Sequence, residues 1–191
     1  MISNQTKIPL DMLRHSCSHL MAAAVLSLFP ETKFGVGPTI ENGFYYDIEL
    51  DKKLNPNDLL RIEKRMQKLI SQNLKFDKKE ITIKEALKLF QGLNQPYKIE
   101  LLQDIQKTGT TKALKHENIR TLEHKKIDKV SVYQLGNFTD LCRGPHVKST
   151  KDLVNVSFKL TKIAGAYWRG DEKNKMLTRI YGLAFEKQKK T

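Results

Sequence analysis

Two short segments hold most of the soft donor atoms in this 191-residue chain. In Thr139-Asp140-Leu141-Cys142-Arg143-Gly144-Pro145-His146, a thiol and an imidazole stand four residues apart with Gly and Pro between them. Gly and Pro oppose a helix there and favour a tight turn that aims both side chains into one site. In Arg14-His15-Ser16-Cys17-Ser18-His19-Leu20, two histidines are four residues apart, which on a helix puts both imidazoles on one face. His15, His19, Cys142 and His146 therefore make one candidate site with four soft donors. Two chemistries suit it. Imidazole nitrogen and thiolate are zinc ligands, and three protein ligands plus water make a hydrolytic centre. Without metal, the same groups can orient a water and pass a proton, because imidazole titrates near neutrality.

Each pair alone also fits a plainer origin: satisfied imidazoles on an amphipathic helix, or a buried thiol beside a turn histidine. Concentration of three of the five histidines in these segments favours the joint site. The metalloprotease motif needs Glu after the first histidine, and Ser16 stands there instead. Asp140 is two residues from Cys142 and can orient a histidine or stabilise its charged form. Lys98 sits in the alternating stretch Tyr97-Lys98-Ile99-Glu100-Leu101, while Tyr46 and Asp47 fit hairpin packing.

The elements that must position these groups follow from periodicity. A helix is expected from Met12 to about Phe29, capped by Asp11 and ended by Pro30, with Leu13, Leu20, Ala24, Val25 and Leu28 toward the core. Asn42-Gly43 between two β-prone runs predicts a hairpin that sends Tyr45 and Tyr46 to opposite faces. A second helix is expected from Pro56 to Asn73, capped by Asn55 or Asn57, with Leu59, Leu60, Ile62, Met66, Leu69 and Ile70 as its apolar stripe. A strand over Phe76–Ile83, a short helix through Phe90, and a strand or helix start at Tyr97–Leu101 come next. Residues Gln103–Lys129 read as polar surface excursions. Strands over Val130–Leu135 (leading straight into the Cys142 turn), Asn155–Ile163 and Lys175–Phe185 complete an α+β architecture, with helices packed on one face of a sheet.

Composition narrows the setting. Two cysteines, each in a His-containing segment, make a disulfide framework an unsuitable reading and favour a reducing compartment. No signal peptide and no apolar run of membrane-spanning length is present, so a cytoplasmic protein is expected. A net charge of +13, from 34 Lys and Arg against 21 Asp and Glu, favours a polyanionic partner, with nucleic acid first.

Four blocks together resemble the editing domain of bacterial threonyl-tRNA synthetases. They are His15-Ser16-Cys17-Ser18-His19, the stretch Gly37 to Asp47, Asp140 to His146, and Gly165-Ala166-Tyr167-Trp168-Arg169-Gly170-Asp171, with Lys173 to Gly182 extending the last. The HxxxH and CxxxH pairs also fit the related domain of the alanyl enzyme, and the block Gly165–Gly182 points to the threonyl family. The resemblance implies a two-layer fold with helices on one face of a mainly antiparallel sheet. It implies an editing domain over residues 10–185, with 1–9 a leader or linker and 186–191 a tail toward an aminoacylation core.

By the same resemblance, the chain is an aminoacyl-ester hydrolase that removes serine wrongly esterified to tRNA(Thr), with no aminoacylation of its own. His15, His19, Cys142 and His146 then form the pocket with Lys98 and Asp140 beside them, and Tyr46, Asp47 and Arg143 lie near the tRNA terminus. No cofactor is expected, since bacterial threonyl editing implies water and proton transfer without metal. Alanyl relatives hold zinc in the matching ligands, which here are His15, His19, Cys142 and His146. The implied partners are the serine-carrying acceptor end of tRNA(Thr) and the remainder of the ATP-binding synthetase, a homodimer when full length. In that family a small ubiquitin-like domain precedes this one, so the chain reads as an excised fragment or a freestanding editor. Two alternatives stand beside this: a zinc-dependent aminoacyl-tRNA hydrolase on the same donors, and a non-catalytic tRNA-binding module.

Overall fold

Helix α1 (Leu10–Leu28) runs through the middle of the molecule, and Ser16 to Val25 are all buried. Small side chains there (Ser16, Cys17, Ser18, Ala22, Ala23, Ala24) let neighbouring elements approach it from several sides, as befits a helix inside a core. The computed structural model describes residues 7–110 and 127–187. Pro9 takes the N-cap position of α1 and Asp11 lies inside the first turn, not at the cap as its residue type predicts. A carboxylate in the first turn still favours the helix dipole.

Strands β1 (Lys33–Phe34), β2 (Thr39–Ile40) and β3 (Gly43–Glu49) follow, and both short strands pair antiparallel with β3. The hairpin loop is Glu41-Asn42, because Gly43 pairs with Ile40. Gly43 thus serves close approach, not the turn: a Cβ there would lie 1.9 Å from the Gly182 carbonyl oxygen. Tyr46 is buried and Tyr45 half-buried, as alternation predicts.

Helix α2 (Pro56–Ser71) is capped by Asn55, whose side chain accepts from Asn57 and Asp58 amides while Asp58 accepts from the Asn55 amide. Leu59, Ile62, Met66 and Leu69 form its buried stripe, and Leu60 of the expected stripe is exposed. Strand β4 (Asp77–Thr82) leads to helix α3 (Ile83–Gly92), capped by Thr82 with Glu85 in return. The ambiguous Tyr97 stretch is helical: α4 spans Pro96–Thr108. Pro96 at its first position was the available signal, since proline's fixed φ suits N1.

Strand β5 (Lys129–Leu135) does not run straight into the Cys142 turn. It pairs with an unanticipated strand β6 (Phe138–Leu141) across Gly136-Asn137, with Gly136 at φ 57°. A two-residue Gly-Asn loop is a hairpin signal in its own right. Strands β7 (Val156–Tyr167) and β8 (Met176–Glu186) form a long hairpin closed by the 3-10 turn Trp168–Gly170. Of the expected surface excursion, Gln103–Thr108 belongs to α4, and residues 111–126 lie outside the described residues, as do 1–6 of the leader and 188–191 of the tail.

All strand pairings among the described residues are antiparallel, and the class is α+β as expected. The strands divide into two sheets: one ordered β1-β3-β8-β7 with β2 also on β3, the other β4-β5-β6. Helix α1 touches strands of both sheets, which is how residues of α1 and residues after β6 come to share a site.

Candidate active site

On α1, His15 and His19 are one turn apart, with ring centroids 5.1 Å apart and planes near perpendicular. Strand β6 ends at Leu141, so Asp140 is fixed in the ladder by pairing with Tyr133, and Cys142 begins the turn. Gly144 has φ 72°, and a Cβ there would lie 2.3 Å from the Tyr133 hydroxyl; the Gly144–Pro145 peptide is cis. That turn carries His146 back over α1. Ligand atoms of His15, His19, Cys142 and His146 all lie within 4.8 Å of one another. Spacing in sequence and juxtaposition in space agree.

The cluster is hydrogen-bonded from both sides. Cys142 Sγ lies 3.4 Å from His15 Nε2 and 3.4 Å from His146 Nε2, and accepts from the Gly144 amide at 3.2 Å. His15 Nδ1 is 3.2 Å from the Pro145 carbonyl, which can only accept, so that nitrogen carries the proton. His146 stacks on Phe76 and meets Ser16 Oγ through Nδ1 at 3.2 Å. Ser16 was not anticipated; only its place between the two histidines could have flagged it.

A second network adjoins the first. Asp140 Oδ2 accepts from Tyr46 OH at 2.5 Å and stands 3.2 Å from His19 Nε2. Lys98 on α4 is 2 % exposed; its Nζ donates to the Gly35 carbonyl and to Tyr46 OH, and lies 2.5 Å from Asp140 Oδ1. That last contact is one of charge, since Oδ1 accepts no hydrogen bond among the described residues. Lys98 is therefore no solvated surface lysine; α4 turns it inward to a buried carboxylate.

Burial sets the protonation states. It pushes the Cys142 thiol up to about 12, with the Asp140 carboxylate adding to the effect. Desolvation first, then the neighbouring His15 and Lys98, holds His19 well below the usual imidazole range. His146 is lowered in the same way by burial and by His19 and His15. Thiol and both imidazoles are neutral at pH 7. Unfolding releases the two histidines to their ordinary value near 6.5, so below that pH the unfolded chain binds more protons and stability falls as pH drops. Urea midpoints are expected to decrease from about pH 7.5 to about pH 5, with uptake of up to two protons on unfolding. A midpoint that holds constant across this window would contradict neutral burial of this pair.

A cavity of about 470 Å³ opens beside the cluster. Its polar lining is His15, His19, Lys98, Asp140 and Cys142, and Met12, Val36, Gly37, Pro38 and Thr39 also line it. Arg143 stands exposed at the edge, and Asp11 also reaches this space. His146 lies behind Cys142 and does not line the cavity, nor do Tyr46 and Asp47. Tyr46 supports Asp140 from below, while Asp47 is paired with Arg179 through contacts of 2.6 and 2.8 Å. Of the nine residues singled out by sequence, six converge on the cluster and its carboxylate, Tyr46 adjoins them, Arg143 is at the rim and Asp47 stands apart.

The donor set fits a zinc ion in type and spacing. Bonds of about 2.0 Å to nitrogen and 2.3 Å to sulfur give tetrahedral edges of about 3.5 Å, close to the 3.4 Å separations at Cys142. His15, His19, Cys142 and His146 would hold it. Bound there it would supply a Lewis acid, but four protein ligands close the coordination shell and leave no position for water.

Comparison with known proteins agrees on family. Residues 130–181 match the family described as the threonyl and alanyl tRNA synthetase second additional domain. The chain is 52 % identical over 176 residues to a threonine--tRNA ligase of Dehalococcoides mccartyi, covering 92 % of this chain and 26 % of that protein. It is 46 % identical over 188 residues to one of Citrifermentans bemidjiense, covering 98 % and 26 % respectively. With one of Clostridioides difficile it shares 45 % over 179 residues, or 94 % and 25 %. The chain thus spans about a quarter of the length of these relatives.

Proposed function

The chain carries a second additional domain of the threonyl and alanyl tRNA synthetase kind and is similar over nearly its whole length to threonine--tRNA ligases, and from this we propose that it edits mischarged tRNA by hydrolysing the serine ester of tRNA(Thr). One observation carries the reading. His15 and the buried Lys98–Asp140 pair line one cavity, which brings an imidazole and an ammonium to the same space. A water in this cavity would lie beside an imidazole and a buried ammonium–carboxylate pair, and His15 is suited to take its proton.

The step runs as follows. Water oxygen attacks the ester carbonyl carbon, its proton passes to His15, and the Lys98 ammonium offsets the negative charge that develops on the carbonyl oxygen. The carbon–oxygen bond to the ribose then breaks, and the ribose oxygen takes the proton back from His15. Serine and uncharged tRNA leave. The need for such a step is physical: one methyl separates serine from threonine and is worth only about 1–3 kcal/mol of discrimination, so a second site must correct the remainder. Met12 and the Val36–Thr39 stretch, which also line the cavity, are where an extra methyl would collide.

The acceptor end of tRNA(Thr) is the proposed partner, and the net charge of +13 supports contact with phosphates. The proposed setting is the cytoplasm, within a threonine--tRNA ligase; no helix among the described residues is long and apolar enough to cross a membrane. A second reading, zinc-assisted hydrolysis, rests on the same donors and requires one of the four to stay off the metal and leave a position for water. Deacylation of seryl-tRNA(Thr) with and without chelator separates the two. Full activity in chelator is expected; loss of activity restored by added Zn²⁺ would overturn the metal-free reading.

A further inference from the structure

Helix α1 covers one face of the sheet built on β3, β8 and β7, where Phe44, Tyr46 and Ile180 join Leu20 and Val25 in one apolar core. The residues of the opposite face follow from register. Tyr45 pairs with Tyr181 and Tyr181 with Lys162, so the three lie in one row across the strands, and Asp47 and Arg179 belong to the next row. A one-residue irregularity between Leu160 and Lys162 turns Lys162 to this side. Asp47 is buried and grips the Arg179 guanidinium by contacts of 2.6 and 2.8 Å, and Arg179 Cζ stands 3.9 Å from the centre of the Tyr45 ring. The Tyr45 and Tyr181 rings are 5.7 Å apart and tilted by 53°, and Lys162 Nζ is 5.7 Å from the Tyr181 ring centre. Cation, two aromatic rings and cation thus follow one another across three strands. Lys162 is exposed and makes no ion pair among the described residues, whereas Lys159 on the same strand is held by Glu63 at 3.0 Å.

We propose that this row is a docking surface for single-stranded RNA, and that its occupant is the unpaired 3′ segment of the tRNA that leads into the cavity. Aromatic rings stack with bases of any sequence, and flanking cations meet the phosphates between those bases. The two cations differ in role. Lys162 supplies uncompensated positive charge, the complement of a phosphate. Arg179, neutralised by Asp47, supplies a planar group held in place beside Tyr45, on which a base can extend the stack. Continuity with the cavity comes through β2. Pro38 and Thr39 line the cavity, the Tyr45 amide donates to the Pro38 carbonyl at 3.2 Å, and Thr39 pairs with Phe44. The backbone that carries the first ring of the row is therefore bonded directly to the backbone of the cavity rim. An acceptor end with its terminal ester in the cavity has its preceding nucleotides within reach of Tyr45 and then of Tyr181.

The choice of occupant rests on the editing reading, but the RNA contact is testable apart from it. The probe is an acceptor-stem RNA duplex with a short single-stranded 3′ overhang that carries 2-aminopurine beside its terminal nucleotide, titrated with the whole chain. Stacking is expected to quench the fluorescence, and the blunt duplex is expected to bind about 10-fold more weakly than the overhang RNA. Tyr181→Leu, which keeps an apolar side chain and removes the ring, should weaken overhang binding about 10-fold and leave blunt-duplex binding unchanged. Lys162→Gln, at an exposed position, should reduce the slope of log affinity against log salt by about 0.7, the loss of one single-strand phosphate contact. If Tyr181→Leu does not fold, Lys162→Gln decides. Folded variants that bind the overhang RNA as wild type does would overturn the proposal, and this is the result expected if the face docks instead against another protein surface. A wild-type chain that does not prefer the overhang RNA to the blunt duplex would overturn it too. Overhang binding through this face by a chain that leaves seryl-tRNA(Thr) intact would sink the hydrolytic reading and leave the RNA surface standing; ester cleavage by a chain whose variants bind unchanged would do the reverse.

Discussion

Alanine in place of His15 is expected to slow deacylation of seryl-tRNA(Thr) by at least ~10²-fold, the contribution of a positioned proton carrier. His15 is the histidine to test first because it lines the cavity and its proton sits on the nitrogen facing away from Cys142. His146 stands behind the thiol with both nitrogens engaged, so its removal acts through Cys142. His15 is only half-buried and its side chain is not part of the apolar core, so the variant should retain its fold. Single-turnover rates with circular dichroism on the same samples settle the matter. A near wild-type rate in folded His15→Ala would take His15 out of the mechanism and leave the proton to another group.

The second large effect concerns stability. Side chains of Lys98 and Asp140 are 2 % and 4 % exposed and 2.5 Å apart. Replacing Lys98 by methionine keeps its volume roughly constant but leaves a carboxylate buried without its counter-charge, which costs about 3–5 kcal/mol. Tyr46 OH still donates to Asp140, and His19 remains beside it, so the carboxylate is not stripped of every partner. Adding Asp140→Asn removes the charge and should recover part of the loss, giving a coupling of about 0.5–3 kcal/mol in a double-mutant cycle. Urea unfolding of the four chains measures it. A loss below about 1 kcal/mol for Lys98→Met would mean that the pair is well solvated or that Asp140 is readily protonated.

How far these features were legible in sequence depends on where their cause lies. His15 and His19 are local: a four-residue spacing on an apolar helix already puts both on one face. The turn that carries His146 is local too, since Gly144 and Pro145 dictate it. Helix α2 was legible to its cap, because Asn55 and Asp58 form their reciprocal bonds within four residues. Lys98 was not. Its burial depends on which face of α4 meets β1 and the Gly35 carbonyl, a tertiary fact that alternating residue types between Tyr97 and Leu101 do not encode. Asn42-Gly43 was read as a turn pair, yet Gly43 answers to a strand about 140 residues away, Gly182 of β8. Division of the strands into two sheets was equally hidden, because β4, β5 and β6 find one another through pairing that no local pattern specifies. Tyr46 and Asp47 are neighbours in sequence but point to opposite faces of β3, one under the site and the other to Arg179.

The central claim is that this cavity removes serine and spares threonine. On the proposed reading the polar lining supplies the chemistry, and Met12 with Val36–Thr39 supplies the limit on size. A packed wall penalises an added methyl by roughly 1–3 kcal/mol, and displacement of the attacking water by about 1 Å can add ~10²-fold in rate. The direct measurement is single-turnover deacylation of seryl-tRNA(Thr) and threonyl-tRNA(Thr) by the same preparation. The account predicts that the seryl ester is cleaved at least ~10²-fold faster; equal rates would contradict it and leave a general aminoacyl-ester hydrolase in its place.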